Sequence, residues 1–247
     1  MRFAVLADMH ANREAMQAVL AHATQQQVQR HVFLGDMVGY GADPAWVVDA
    51  VREHVSAGAL AVLGNHDAAV VLGSPPTMRP DARLAVQWTR QQLDPRQLDF
   101  MSSLPLTQQW GDLLFVHANA HEPAGWGYVQ DRVEAGRSLH ARSQRVIFCG
   151  HLHEPMLFNL SPLGKVGEFV PVPGEPIPLL APRRWLAVAG AVGQPRDGNP
   201  AACYCVYDDD RAELTYWRVP YDREAASAKI VRADLPPFLA SRLADGI

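Results

Sequence analysis

The chain has 247 residues, 48% apolar and 19% charged, and its net charge of −4 argues against the cationic surface that nucleic-acid binding requires. No apolar run reaches the roughly 18 residues that a membrane-spanning helix needs. The first apolar run meets Asp8 too early for a signal-peptide core, and three cysteines, an odd number, do not suggest a disulfide framework. These features predict a globular protein of the cytoplasm.

The first third of the chain alternates short apolar runs with segments of helical periodicity. Runs at 2–7, 31–34 and 60–63 predict strands, and 12–23 and 44–54 predict the helices between them. Pro44 suits the first position of the second helix, and Asp43 is its expected N-cap. Strands that alternate with helices predict a parallel sheet covered on both faces.

The rest of the chain adds a helix and further strands, including a hairpin. The pattern predicts a helix at 80–92, strands at 113–116 and 145–148, a hairpin from 201–207 and 212–219, and a helical tail from Tyr221 that Pro236 interrupts. No internal repeat or long linker divides the chain. We therefore predict one α/β domain over 1–247, with a helical insertion at 70–100, a C-terminal extension at 208–247 and a mixed second sheet.

Polar side chains follow five of the predicted strands, at the point where each strand ends. Ligands of α/β sheets bind beyond the carboxyl ends of the strands. The stretch 63–67, LGNHD, reads alone as a turn, because Gly, Asn and Asp are common turn residues. Independent turns do not explain polar residues at five strand ends, which are Asp8, His10, Asp36, Asn65, His66, Asp67, His117, His151 and His153.

The chemistry of this set favours divalent metal ions. Imidazole nitrogens and carboxylate or amide oxygens are ligands of transition metals, and the absence of cysteine from the set disfavours a thiolate zinc site. Asp8 and His10 are two residues apart, as are His151 and His153, so each pair is expected on one side of an extended segment.

In order and spacing, these motifs resemble those of the calcineurin-like metallophosphoesterase superfamily. The segment 190–197, GAVGQPRD, is similar to one common in its small bacterial phosphodiesterase branch. The resemblance implies a four-layer α/β/β/α sandwich of two mixed sheets flanked by helices, with a dinuclear metal centre. The motifs are Asp8-x-His10, Gly35-Asp36, Gly64-Asn65-His66-Asp67, His117 and Gly150-His151-x-His153.

The resemblance also implies which residues hold the metal ions, with Asp36 as the bridge. Mn²⁺ is the preferred ion, and Fe, Zn, Ni, Co and Mg are alternatives. Two such ions can share a hydroxide that displaces the leaving group of a phosphoester in line. The first ion would be held by Asp8, His10, Asp36 and His153, and the second by Asp36, Asn65, His117 and His151.

Three further residues complete the predicted catalytic set. His66 is expected to be a general acid that protonates the leaving oxygen, and Asp67 or a backbone carbonyl is expected to fix the tautomer of its ring. Arg196 is either a phosphate contact or an ordinary surface arginine. The segment Gly39-Tyr40-Gly41 lacks the Asp-Arg-Gly sequence of protein serine/threonine phosphatases and dinucleoside tetraphosphatases, which argues against both activities. Ala11 stands where many relatives have glycine.

Several alternatives stay open at the level of the sequence. A phosphoesterase fold that serves as a catalytically silent scaffold is disfavoured because no predicted ligand is missing, and a redox site is disfavoured because no ligand suggests haem, iron–sulfur or blue copper. A small-molecule or nucleotide phosphoester is the expected partner, either diester or monoester, and a homo-oligomer is compatible. Cys203 and Cys205 are expected in the core. The aromatic residues that could either stack a nucleobase or serve in packing are Tyr40, Trp46, Trp126 and Tyr128.

Overall fold

The protein is described here by a computed structural model that covers residues 1–76 and 78–247. Its strands, in chain order, are β1 (Arg2–Leu6), β2 (Arg30–Phe33), β3 (Leu60–Ala61), β4 (Thr107–Trp110), β5 (Leu113–Val116), β6 (Val146–Cys149), β7 (Pro155–Leu160), β8 (Val166–Phe169), β9 (Ile177–Pro178), β10 (Arg184–Ala189), β11 (Ala202–Asp208) and β12 (Glu213–Val219). Its helices are α1 (Arg13–Gln25), α2 (Pro44–Ser56), α3 (Asn65–Leu72), α4 (Pro80–Gln92), α5 (Pro95–Ser102), α6 (Arg132–Ala141), α7 (Arg223–Arg232) and α8 (Pro237–Asp245).

The described strands form two mixed sheets of six strands each. The first sheet has the order β3-β2-β1-β11-β12-β9, and the second has the order β4-β5-β6-β10-β7-β8. β1, β2 and β3 are parallel to one another, and so are β5, β6 and β10, whereas β11 and β7 run antiparallel to their neighbours. None of the helices in the described ranges combines the length and hydropathy that crossing a membrane requires.

Both sheets are covered on both faces, which is why their strands read as continuous apolar runs. In β1, Phe3 and Val5 pack between the two sheets, whereas Ala4 and Leu6 face the layer of α1 and α2. The outer face of the second sheet packs on α6 through Leu139 and its neighbours. Because successive side chains point to opposite faces of a strand, one set packs between the two sheets and the other set packs against helices. The expected four-layer α/β/β/α sandwich is confirmed.

Asn12 and Asp43 occupy the N-cap positions of α1 and α2, the latter as expected, but their side chains act differently. Asn12 caps α1, because its side chain accepts the N–H of Ala15 at 3.1 Å. Asp43 precedes α2 as expected but makes no capping bond. Its carboxylate instead lies 2.6 Å from the ammonium of Lys229 in α7, which also contacts Glu14 at 2.6 Å. The nearby cation offers Asp43 a charged partner in place of the backbone.

The stretch LGNHD begins a helix. Gly64 is the N-cap of α3, and Asp67 at the third helical position accepts the N–H of Gly64 at 3.1 Å. This is the helix-start arrangement in which an acidic side chain reaches back to the capping residue. The predicted helix at 80–92 coincides with α4, and parts of α3 and α5 also fall within the predicted insertion at 70–100. Residue 77 lies outside the described residues.

The C-terminal segment completes the first sheet. β12 pairs with β11 along its whole length, from Ala202 opposite Val219 to Asp208 opposite Glu213. α7 and α8 then pack on α4 through a separate apolar cluster that includes Ala85, Ile230 and Leu239. Cys203 and Cys205 lie in the core between the sheets, as expected.

Candidate metal centre

Seven predicted ligands converge beyond the carboxyl ends of parallel strands from both sheets. Asp8, His10 and His153 form one buried cluster whose ligand atoms lie within 4.8 Å of one another. Asp36, His117 and His151 form a second cluster of the same kind. The side-chain oxygen of Asn65 lies 2.9 Å from Nε2 of His117.

The ligand segments are not extended, contrary to expectation. Asp8 and His10 have φ of 55° and 46°, and His151 and His153 both have φ of 67°. Left-handed backbone is uncommon for residues other than glycine and concentrates at functional sites. Ala11 shares it, with φ of 52°. The conformation is held by bonds between loops, such as that from the N–H of His10 to the carbonyl of Asp36 at 2.9 Å.

Two glycines let neighbouring loops pack directly against the carboxylates. A Cβ at Gly64 would overlap the backbone and carboxylate of Asp36, and a Cβ at Gly150 would lie 2.6 Å from Oδ2 of Asp8. This close approach brings a backbone N–H, two residues after Gly64 and one residue after Gly150, within hydrogen-bonding distance of a carboxylate. The N–H of His66 donates to Oδ1 of Asp36 at 2.8 Å, and the N–H of His151 donates to Oδ2 of Asp8 at 2.9 Å.

The other oxygen of each carboxylate has no hydrogen-bond partner. Oδ1 of Asp8 and Oδ2 of Asp36 are buried and unpartnered. Each faces an imidazole, since Nε2 of His153 lies 3.3 Å from the Asp8 oxygen and Nε2 of His117 lies 3.4 Å from the Asp36 oxygen. An ionised oxygen that is buried without a partner is costly, so these two atoms mark places for cations.

Backbone carbonyls orient three of the histidines. Because a carbonyl can only accept, the ring Nδ1 must carry a proton, and in the neutral ring Nε2 then presents its lone pair. Nε2 of His10 and Nε2 of His153 are only 3.1 Å apart, so two lone pairs face one another. A metal ion satisfies both. The Nδ1 bonds run from His10 to Val38 at 3.0 Å, from His117 to Leu34 at 2.7 Å, and from His153 to Gln194 at 2.6 Å.

Oδ2 of Asp36 lies between the two clusters. It is 3.8 Å from Nε2 of His10 in the first and 3.4 Å from Nε2 of His117 in the second. A carboxylate oxygen with this placement suits a bridging role. The nitrogen and oxygen donors present therefore fit two divalent cations that share Asp36.

Burial and neighbouring charges shift the pKa values of the centre in opposite directions. Burial alone would raise the pKa of Asp8, but the facing His153 holds that pKa at about 2. Burial would lower the pKa of His117, but the carboxylate of Asp36 raises it to about 9. Burial and the neighbouring His117 lower the pKa of His151 to about 3. His117 therefore has to release a proton before it can bind a metal ion.

His66 lies beside the metal clusters and belongs to neither. It occupies the first turn of α3, and its ring packs 5.1 Å from that of His10 and 4.5 Å from that of Tyr40. Its Nδ1 is buried without a hydrogen-bond partner, and burial lowers the pKa of the ring. The structure thus leaves His66 free of the orienting carbonyl bonds that fix three of the ligand histidines.

Asp67 does not orient His66, contrary to expectation. Its two oxygens accept the N–H of Val38 at 3.2 Å and that of Gly64 at 3.1 Å. Burial and the charge of Asp36 raise the pKa of Asp67 to about 7. Asp67 therefore fixes the backbone of Gly64, which precedes Asn65, and that of Val38, whose carbonyl accepts the hydrogen bond from His10.

Arg196 is fixed next to the centre. Its guanidinium donates to the side-chain oxygen of Gln194 at 2.9 Å and lies 5.7 Å from the ring centroid of Tyr40. Sequence reasoning missed Gln194, whose carbonyl orients His153 and whose side chain holds Arg196. Its place within the GAVGQPRD segment was the available signal.

Two further residues, His121 and the aromatic candidate Trp46, make contacts outside the ligand set. His121 contacts Ser138 and Glu134, and Trp46 packs under the guanidinium of Arg13 at 5.1 Å.

A family model described as the calcineurin-like phosphoesterase superfamily domain matches residues 1–211. The chain belongs to this superfamily. It is 34% identical over 251 residues to the uncharacterized protein MJ0912 of Methanocaldococcus jannaschii, covering 97% of this chain and 96% of that protein.

Two solved structures share the superfamily fold over the whole chain. The crystal structure of a metallophosphoesterase from Sphaerobacter thermophilus is 35% identical, with a TM-score of 0.89 over 100% of this chain and 99% of that one. The hypothetical protein PH1004 of Pyrococcus horikoshii is 15% identical, with a TM-score of 0.79 over 100% and 98%. The second likeness concerns the fold alone.

Proposed function

We propose that this superfamily member is a metal-dependent phosphoester hydrolase. The observation that carries the proposal is Oδ2 of Asp36, a buried and unpartnered oxygen within 3.8 Å of a ligand nitrogen from each cluster. When bound, two divalent cations would polarise the phosphoester and lower the pKa of the attacking water. Mn²⁺ is the proposed ion, and phosphodiesters and phosphomonoesters are both proposed substrates.

The chain's own residues divide the remaining work. Asp8, Asp36 and the histidines around them hold the cations in place, and Asp67 keeps the loops of Gly64 and Val38 together. His66 is proposed to donate a proton to the leaving oxygen. Since burial lowers the pKa of His66 in the free protein, the negative charge of the bound phosphoester has to favour its protonated form. Arg196 is proposed to contact the phosphoryl group beside Tyr40.

The cellular setting is proposed on separate grounds. The three cysteines are free and buried, which suits a reducing cytoplasm. A small-molecule or nucleotide phosphoester is the proposed partner.

The proposal is tested by metal analysis and a panel of substrates. After dialysis against Mn²⁺ the protein should hold close to two ions per chain and hydrolyse at least one class of phosphoester. Absence of bound metal would overturn the hydrolase proposal. Two bound ions without hydrolysis of any phosphoester would favour a scaffold.

Asp36→Asn is the matching variant. It should lose hydrolysis and bind less metal because the bridging charge is gone, while circular dichroism should show an intact fold. Asp209→Asn changes an exposed carboxylate and is the control. If Asp36→Asn kept most of its kcat, Asp36 would not be the bridge.

A further inference from the structure

A cleft of about 500 Å³ lies beside the metal centre. Its lining includes Asn65 and His151 among the candidate ligands, and His66 next to them. The volume falls within the range of about 300–1,000 Å³ that is typical of small-molecule sites. A phosphoester whose phosphorus lies at the metal centre would therefore extend one substituent into this cleft.

One wall of the cleft is aromatic. The ring of Tyr128 lies parallel to that of His151, at 4.2 Å and 8°, and Tyr128 remains 45% exposed. Trp126 lies on the same wall with its ring 5.8 Å from that of His117, and its φ is 53°. Left-handed backbone at a tryptophan is strained, and such strain persists where the surroundings enforce it. Tyr40 is the third aromatic residue of the lining.

Apolar side chains from α3, from α4 and from the segment between them also line the cleft. They include Leu72, which is 81% exposed, together with Met78 and Ala82. No carboxylate occurs among the described lining residues, and Arg79 contributes a positive charge. Apolar and aromatic surfaces with a cation nearby suit a flat ring attached to an anionic group.

We propose that the cleft binds a leaving group that carries a planar aromatic ring, as a nucleoside does, and that the ring stacks on Tyr128. This inference rests on the proposed hydrolase function and narrows its substrate to nucleoside phosphoesters. Stacking on an aromatic side chain recognises the ring of any base without hydrogen-bond readout. A phosphate ester without a ring would leave the apolar surface of Leu72 and Met78 without a partner.

The test compares a substrate that carries the base with one that lacks it. Adenosine 5′-monophosphate and ribose 5-phosphate release the same type of hydroxyl, so the chemistry of the leaving oxygen is matched. The methyl diesters of both compounds extend the comparison to phosphodiesters. With the Mn²⁺-loaded protein, kcat/KM should be higher for the compound with the base by about 5–150-fold, which corresponds to about 1–3 kcal/mol for stacking one base.

Substitutions at Tyr128 and Leu72 test where the ring of the substrate binds. Tyr128→Leu should remove most of this preference, whereas Tyr128→Phe should keep it because the stacking face remains. Metal content is measured in both, since Tyr128 also packs on His151. Leu72→Ser provides a second test at an exposed position and should reduce the preference a few-fold. Leu84→Ser, at a leucine that is 55% exposed and outside the cleft, is its control.

The outcomes separate this inference from the proposed function. Equal kcat/KM with and without the base, or a preference that survives in Tyr128→Leu with full metal content, would overturn the cleft assignment and leave the hydrolase intact. If no phosphoester is hydrolysed, the proposed function fails, and the same two compounds are titrated into the protein by calorimetry. Tighter binding of adenosine 5′-monophosphate would then support the cleft, and equal affinity would overturn it.

Discussion

At the scale of single residues, His66 differs from the ligand histidines in what holds it. Backbone carbonyls fix the rings of His10, His117 and His153 with Nδ1 protonated. The ring of His66 packs against Tyr40 and His10, and its Nδ1 has no hydrogen-bond partner. Packing holds the position of this ring while leaving its protonation to respond to the bound substrate. That combination suits a group that gives up a proton in each turnover.

His66→Gln should slow the hydrolysis of alkyl or nucleoside phosphoesters by ~10²–10⁴-fold, the usual contribution of proton donation. p-Nitrophenyl phosphoesters should be affected much less, because p-nitrophenolate leaves without protonation. Steady-state kcat on both substrate types, with metal analysis of the variant, gives the answer.

His121→Gln, which changes a histidine that contacts Ser138 and Glu134, is the control for this prediction. Equal losses on the two substrate types would point to substrate positioning by His66. Loss of metal would show that His66 is a ligand.

At the scale of elements, the junction of β3 and α3 shows what the sequence could and could not predict. The apolar run before Gly64 and the polar residues after it predicted that Asn65 lies beside the other candidate ligands, and its side-chain oxygen is 2.9 Å from Nε2 of His117. The start of a helix was missed, because Gly, Asn and Asp also favour turns. Helix α4, which has a clear helical period, was predicted to the residue.

The loops that carry Asp8, His10, His151 and His153 could not be predicted in the same way. Their left-handed backbone is imposed by bonds to distant segments, such as that from Asp8 N–H to the carbonyl of Gly35 at 3.2 Å. The carbonyls that orient the histidines could not be predicted for a related reason. Every residue has a carbonyl, and only the fold determines which one accepts a hydrogen bond from a histidine. The pattern of side chains therefore predicted which residues converge, and tertiary contacts determined their geometry.

Gly64→Ala should test how closely these elements must approach. Its Cβ would overlap the backbone and carboxylate of Asp36, so the free energy of unfolding should fall by about 1–3 kcal/mol, as is typical of overpacking. Metal affinity should fall with it, because Asp36 has to move. Denaturant unfolding and metal titration measure the two effects.

Gly136→Ala is the matched substitution for this prediction. Gly136 lies within α6, where a Cβ would meet Val166 at an ordinary 3.4 Å, so alanine should be neutral or stabilise the helix by up to about 1 kcal/mol. If Gly64→Ala left stability and metal affinity unchanged, the close approach of the Gly64 and Asp36 loops would not be required.

At the scale of the whole molecule, metal binding should raise the stability of the fold. Each ion at about 100 times its Kd adds about 2.7 kcal/mol to the free energy of unfolding, or roughly 5–10 °C in Tm for a chain of this size. Thermal unfolding of the metal-free and Mn²⁺-loaded protein measures the difference. Asp36→Asn, which lacks the bridging carboxylate, should show a much smaller rise in Tm when Mn²⁺ is added.

This stabilisation should depend on pH in a definite direction. The pKa of His117 is raised to about 9, so below that pH the metal has to displace a proton. Affinity at the second cluster should therefore weaken by up to about tenfold for each pH unit below 9, and the gain in Tm from Mn²⁺ should be larger at pH 8.5 than at pH 6.5. Equal gains at the two pH values would contradict the protonated state of His117.

Each cluster also draws its ligands from both halves of the sandwich. Asp8 and His10 follow β1 of the first sheet, whereas His153 follows β6 of the second, and the other cluster is divided in the same way. Sliding of one sheet over the other would pull both clusters apart, so bound ions would act as cross-links against shear. The backbone amide hydrogens of the strands on both sides of the apolar layer would then exchange together, and they would exchange more slowly when metal is bound.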